Sequence, residues 1–464
     1  MTGFQTVGRA AALLAGAAGV LAAQAAQAAP PAARADQPCE VVITGVARGT
    51  DTTRIRAVTT GTGGRNTYVG GGVDATCAGQ GNRLLADSAE HFTEQGLLIL
   101  YHNVRYTEPR MAMTSDRMFY YTNQERLVAD GNVRGTTSSG ARFSGPQFEY
   151  FRAAPGIRVA PRWIAVGRPF VRMSPTDAGI ARPDSAGAAE ADSVDLTANR
   201  VVSENDSLIW ASGNVVMERV DMRATGDSAM MDNGIEFARL MREPRIVGKG
   251  ERPFTLDGTV IDIWSEERQL ERVLSSGEAK ATSDSLTLTG DTIDLRLAEQ
   301  QIARVFVWGG RARADAPQQQ IEADSMDILM PGQRLDEVRA LGVARAWSRV
   351  DTARVITGER DWIAGDTITA RFETRIDSVS TDERTAMREV IASGSARAFY
   401  QLPVAGVARG TPNLSYNRGR LITVRFTDGE MSTVTVSERA SGLYLEQAVV
   451  DTSAVRTPPP GRRP

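Results

Sequence analysis

The chain has 464 residues, 42% hydrophobic and 23% charged, which is enough to bury a sizeable core across more than one ordinary domain and is not the composition of a disordered polymer. A net charge of -3 and an isoelectric point near 5.8 leave no polybasic footprint, which argues against nucleic acid as a partner. Lys249 and Lys280 are the only lysines. The arginine fork suits phosphates and carboxylates, although a GC-rich coding sequence produces the same bias.

The N-terminus carries Arg9, an apolar run from Ala10 to Ala23 and the small-residue stretch "AAQAAQAAPP". This is the layout of a secretory signal peptide, predicted over 1–29 with cleavage after Ala28 or Ala29, and it makes the mature chain an exported one. The run is too short to span a bilayer comfortably. Cys39 and Cys77 are the only cysteines and lie 38 positions apart. In an oxidising compartment they read as one disulfide, worth roughly 4 kcal/mol by loop entropy, with two buried free thiols as the other reading. His91 and His102 fall outside any zinc spacing, so no metal site is expected.

Past the cysteines, helical periodicity is scarce. Short runs alternate apolar and polar residues, as in Ile293, Leu295 and Leu297, or Ile422, Val424 and Phe426. A period of two places one face in a core and one in water, as antiparallel sheets do. One element recurs along the chain: "VGGGVDA", "YHNVRY", "DGNVRG", "SGNVVM", "SGEAKA", "GGRARA", "LGVARA" and "SGSARA". Gly72, Asn103 and Asn132 are 31 and 29 residues apart, and Gly277, Gly309 and Gly342 are 32 and 33 apart. A second marker follows each, an Ala-Asp, Ser-Asp or Gly-Asp that opens another alternating run, as in "GDSAMMD", "GDTIDLR", "ADSMDIL" and "GDTITAR". Each unit of about 30 residues thus reads as two strands and two turns, with Gly131, Asn132, Gly213, Asn214 and Gly277 expected in turns.

The stretch from Met173 to Ser193 is rich in Pro, Ala, Gly and Asp and has no periodicity, so 156–195 is expected to be a linker or long loop. Near the C-terminus, "LITVRFTDGEMSTVTVS" places Asp428 and Gly429 between two alternating runs, a hairpin signal. "RTPPPGRRP" belongs to a disordered tail over 451–464.

The recurrent Asp227, Asp291, Asp324 and Asp366 could be acid–base pairs. Their return at equivalent repeat positions favours turn chemistry instead, a carboxylate accepting from nearby backbone N–H groups and forming a ladder along one sheet edge. There is no nucleophile elbow, phosphate loop or dinucleotide fingerprint, so no enzyme and no cofactor are expected. A long sheet with one apolar face must close over it; an open side would leave an apolar groove suited to acyl chains. Candidate core or groove residues are Phe119, Phe148, Trp210, Phe237, Trp264, Val307 and Phe372.

The Gly-Asn-Val unit followed by an Asp-opened strand, best seen in "LVADGNVRGTTSSGARFSGPQFEYF" and "LIWASGNVVMERVDMRATGDSAMMD", resembles the OstA-like superfamily of periplasmic lipopolysaccharide-transport proteins, of the LptA, LptC and LptD N-domain type. The resemblance covers roughly 65–155 and 195–450. It implies an all-β, elongated antiparallel β-jellyroll, folded like a taco, with lipid A acyl chains in its apolar interior. It also implies a periplasmic, outer-membrane-associated location. The implied partners are lipopolysaccharide or a related lipid, other Lpt-type jellyroll proteins joined by edge-strand addition, and an outer-membrane translocon. In that frame, 30–155 is an N-terminal set of repeats and 196–450 a C-terminal jellyroll. One copy departs from the pattern, with Ser-Gly-Pro at 144–146 where the Asp marker belongs, and Pro146 predicts an edge or a bulge there. The rival architecture is a secreted structural or adhesive solenoid with parallel strands, which strand direction would distinguish.

Overall fold

The structure, a computed structural model, describes residues 41–45, 53–77, 81–173, 193–250, 252–267, 269–284, 286–350, 352–376, 383–427 and 430–446. The expected signal peptide, Cys39, residues 174–192, the Asp428-Gly429 turn and the tail lie outside these residues.

Among the described residues the chain is all-β, with 28 strands hydrogen-bonded into one sheet and only three single-turn 3-10 helices. An N-terminal section holds β1 (Val41–Gly45), β2 (Arg54–Thr59), β3 (Arg65–Cys77), β4 (Arg83–Phe92), β5 (Leu97–Glu108), β6 (Met111–Tyr121), β7 (Arg126–Thr137) and β8 (Arg142–Phe151). A central section follows with β9 (Arg162–Val166), β10 (Phe170–Met173), β11 (Val194–Thr197), β12 (Arg200–Glu204), β13 (Leu208–Glu218), β14 (Met222–Asp232), β15 (Phe237–Met241), β16 (Arg245–Gly248), β17 (Phe254–Asp257) and β18 (Val260–Glu266). The C-terminal section comprises β19 (Gln269–Ser283), β20 (Thr287–Ala298), β21 (Gln301–Asp315), β22 (Gln319–Leu329), β23 (Glu337–Ser348), β24 (Asp361–Ile376), β25 (Glu383–Leu402), β26 (Asn413–Thr427), β27 (Glu430–Ser437) and β28 (Ser441–Leu445).

Strand neighbours run antiparallel throughout, so the architecture is a meander and not a parallel coil; one isolated parallel bridge, Val355 to Gly410, joins two loops. The long strands bend in the middle. In β13 the ladder to β14 runs from Leu208 to Ser212, skips, and resumes at Val215, so that one residue more is used on β13 than on its partner. The same shift recurs in β3, β7, β19, β23 and β25. These bulges share a crease that divides the sheet into two walls. The first contains segments such as Leu208–Ser212, the second segments such as Val215–Glu218. Hairpin turns lie along the opposite, open margin, here called the mouth.

The repeat glycines and asparagines therefore do not form the hairpin turns expected of them. Gly131 and Asn132 have φ of 78° and 48°, Gly213 and Asn214 77° and 50°, and Gly277 and Glu278 78° and 51°, all inside continuous strands. Two successive left-handed residues bend the strand without ending it. The aspartates sit on the neighbouring strands, facing these bulges along the crease in mid-sheet, not along an edge. The Asn132 amide donates to Asp116 at 2.7 Å and Asn103 donates to Asp87 at the same distance. A side chain on Gly342 or Gly394 would run into Asp324 or Asp366, with carboxylate oxygens 2.3 and 2.2 Å from the Cβ position. Glycine is required there twice over, by backbone angle and by the aspartate. Asp291 packs in the same way on Gly309 and Gly310, and the Asn214 backbone N–H donates to Asp227 at 3.4 Å. Pro146 occupies the aspartate's place and packs on Gly167.

The expected linker also differs. Within 156–195, β9 and β10 pair with the two halves of β8, and β12 and β11 carry the walls on to β13. Strands of five and four residues separated by Gly-Arg-Pro are too short to show a period in sequence.

Alternation places Ile209, Ala211, Val215 and Met217 inside, and one apolar cluster built this way runs from Val69 to Val424. The outer face of the first wall carries arginine forks. Arg239 grips Asp262 through Nε and Nη2 at 2.6 and 2.8 Å, Arg272 grips Asp294 at 2.8 and 3.0 Å, and Arg304 grips Asp327 at 2.7 and 2.6 Å. Each of these guanidiniums also stacks on an aromatic ring, Phe237, Trp264 and Phe306 respectively. A lysine could supply neither the paired contact nor the planar stacking, so the arginine bias has a structural use here.

Candidate functional site

The space between the walls differs along the molecule. In the N-terminal section it is filled. Phe143 and Phe148 stack at 4.0 Å, Phe148 and Trp163 at 5.4 Å, and Leu98, Leu127, Met118 and Tyr120 are fully buried. The mouth is latched as well. Arg152, just after β8 on the first wall, donates from Nε to Glu108 on the second wall at 2.8 Å and from Nη1 to Glu125 on the first at 2.7 Å. Its Nη2 reaches Asn82 of the second wall at 3.1 Å. Side-chain exposure is only 11% for Arg152, 6% for Glu108 and 1% for Glu125. Three tyrosines complete the network: Tyr106 and Tyr150 donate to Glu108 at 2.9 and 2.5 Å, and Tyr120 donates to Glu125 at 2.7 Å. Burial first, and then the adjoining carboxylates, push all three phenols well above the usual tyrosine range, so they remain donors. Cys77, which is disulfide-bonded, touches the Tyr120 hydroxyl at 3.6 Å; Cys39 lies outside the described residues.

Beyond Trp163 the walls part. A cavity of about 380 Å³ lies between them in the central section, lined by Met173, Met217 and Met222 from the second wall and by Trp163, Ile209, Met231 and Ile263 from the first. Here the walls are also broken at the crease, since β9 and β10, β12 and β11, β15 and β16, and β18 and β17 are separate half-strands in place of bent whole ones. Methionine's unbranched thioether adapts to irregular apolar shapes, and four methionines in one lining suit a variable occupant. Asp206, Glu218, Asp232 and Glu236 stand at its mouth with Arg219. Burial raises the Asp206 carboxyl above its ordinary range, opposed by Arg110 and reinforced by Glu108.

A second cavity, about 90 Å³, lies between the walls of the C-terminal section. Ile321 and Ile363 line it from one wall, Ile368, Val390, Val424 and Phe426 from the other. Its polar groups are few: Gln319, Ser348, Asp361 and Tyr400. Asp361 accepts from the Gln401 backbone N–H at 2.9 Å, yet burial still pushes its carboxyl up to about 6.

The sequence-predicted residues divide between the faces. Phe148 and Val307 are fully buried in the interior, and Phe372 packs against it. Phe119 lies on the outer face under the Arg117 guanidinium, Trp210 is 38% exposed outside, and Trp264 is outside under Arg272. Phe237 borders the mouth of the central cavity while its ring packs, tilted, against Trp264 at 5.4 Å. These four were expected inside because they are large and apolar, but strand parity places them opposite the buried set. Arg152, its carboxylates and Tyr400 were not legible as site residues. Single polar residues at strand ends look like ordinary turn residues until the walls are brought together. Among the described residues there is no group of three His, Cys, Asp or Glu side chains able to hold a metal ion, and no helix is long and apolar enough to cross a membrane.

A scan of protein-family models finds no match, and no curated protein matches the chain. Among solved structures the chain is similar to LptH, the LptA homologous periplasmic component of the conserved lipopolysaccharide transport device from Pseudomonas aeruginosa, at 16% identity and a TM-score of 0.23 over 25% of this chain and 82% of that one.

Proposed function

We propose that this protein is a non-catalytic carrier that binds an acyl-chain lipid of the lipopolysaccharide class between its two walls and passes it through the periplasm toward the outer membrane. The observation that carries the reading is the central cavity, largely apolar on both sides, methionine-rich and with its charged groups at the mouth. Such a space accepts hydrocarbon while leaving a polar head in water. The crease of left-handed Gly-Asn pairs facing aspartates supports it too, being the structural form of the motifs on which the family resemblance rests. Assembly with other jellyroll proteins, including an outer-membrane translocon, would use the terminal strands. β2 and β28 are exposed along their length and each has a single strand partner among the described residues, which leaves one edge there for strand addition.

A photo-crosslinking residue placed at Met231, inside the cavity, is expected to capture lipopolysaccharide, whereas the same residue at Trp210, on the outer face, is not. Equal capture at both positions, or none at either, would remove the basis for an interior lipid site.

A further inference from the structure

The C-terminal cavity holds a polar group that the fold does not use. Tyr400 points inward from β25, between the buried Ala398 and the cavity, and is 8% exposed. Its hydroxyl is buried without a hydrogen-bond partner among the described residues. Leaving such a hydroxyl unpaired costs roughly 1–3 kcal/mol, and phenylalanine would fill the same space without that cost. A second donor nearby is under-used: the Gln319 amide, on the same wall, reaches only the Met387 sulfur across the gap, at 3.8 Å. Burial first, and then the neighbouring Asp361, the one acidic group in the lining, raise the phenol above its ordinary range, yet Asp361 does not hydrogen-bond it; its Oδ1 is occupied by the backbone and side-chain amides of Gln401 at 2.9 and 3.3 Å. The remaining surface is aliphatic and aromatic. Two donors facing an apolar slot call for a ligand that brings an oxygen acceptor into hydrocarbon surroundings.

We propose that Tyr400 is a specificity-determining donor to the bound lipid, and that the C-terminal cavity takes the segment of an acyl chain that bears an oxygen, hydroxyl or carbonyl, in preference to a segment of bare hydrocarbon. This rests on the carrier reading above and adds to it which chain is chosen and by which residue. A bare chain would bury the phenol as unpaired as it already is. An oxygen-bearing chain accepts from it, and discrimination of this kind is strong because the alternative leaves a buried polar group unpaired.

The test uses the full chain and a set of fourteen-carbon probes, tetradecanoic acid and its analogues hydroxylated at carbon 2, 3 or 12, titrated by displacement of a fluorescent fatty acid. At least one hydroxylated chain is expected to bind five- to tenfold more tightly than the plain acid. In Tyr400→Phe that advantage should fall below twofold, with thermal stability equal or higher. The proposal is overturned if wild-type protein shows no preference, as when water satisfies the phenol, or if the preference survives in Tyr400→Phe. Binding of no probe at all to wild-type protein would overturn the carrier reading and this one with it, a result distinct from binding without discrimination.

Discussion

The N-terminal and later sections are made of the same repeat and use it differently. From β3 to β8 the strands bend without breaking, the aromatics Phe143, Phe148 and Trp163 fill the space against the crease, and the Arg152 network joins the walls at the mouth. From β9 onward the first half-strands separate at the crease and cavities open between the walls. The repeat itself therefore does not decide whether the interior is solid or hollow. That depends on what stands at the mouth and on the size of the inward side chains. Stacked aromatics and a buried ion pair close the N-terminal interior, while the later sections leave space between the walls.

The largest effect should come from breaking the latch. Arg152→Met removes a buried cation and strands Glu108 and Glu125, so a loss of about 3–5 kcal/mol in denaturant unfolding is expected. A loss below about 1 kcal/mol would mean that the network is not holding the walls together. Packing should separate the sections next. Met118→Phe adds volume where Met118 is fully buried in a filled interior and should cost about 1–3 kcal/mol, whereas Met231→Phe grows into the central cavity and should be close to neutral, while weakening the lipid binding proposed for that cavity. Equal costs at the two positions would erase the contrast.

The crease, by comparison, should behave alike in both sections. Gly131→Ala and Gly394→Ala each force a side chain onto a left-handed residue and against an aspartate oxygen, 2.5 and 2.2 Å from the Cβ position, and each should lose about 1–3 kcal/mol. The smallest effect is expected at Asp361. Its folded pKa of about 6 lies above the ordinary value of 3.8, so the native state holds its proton more tightly than the unfolded chain. Its contribution to stability is complete below about pH 4 and is lost as pH rises through about 6. Because the carboxyl is partly open to solvent, the change is about 1 kcal/mol. Asp361→Asn should abolish this part of the pH dependence and be the more stable protein at pH 7. A wild-type-minus-variant difference that stays flat between pH 4 and 7 would refute it.

Much of this architecture was written in the chain. Alternation in runs such as Ile293, Leu295 and Leu297 marks the inward face, and the recurrent glycines mark the crease. Their local role is ambiguous in sequence, because a Gly-Asn pair between polar residues signals a hairpin turn as strongly as a mid-strand bulge. The distinction depends on whether both flanks pair with the same neighbouring strand, a non-local fact. The aspartates recur with the repeat, and their mid-sheet position, not the sheet edge expected of them, follows from that bulge. The site was less legible. Trp210 and Ile209 differ by one place in sequence and lie on opposite sides of a wall. Arg152 meets Glu108 across 44 residues, and nothing local to either announces the other.

The single extra residue at each corner has a consequence for size. A bent strand and its aspartate-bearing neighbour form a complete unit in themselves, since the inward set stays inward on both sides of the corner and the next unit begins in the same phase. Removing or adding one unit would change the length of the body by roughly 10 Å, two strand spacings, without exchanging inside for outside. The protein's reach is thus quantised, and a gap between two fixed endpoints could be matched by counting repeats, with no corner redesigned.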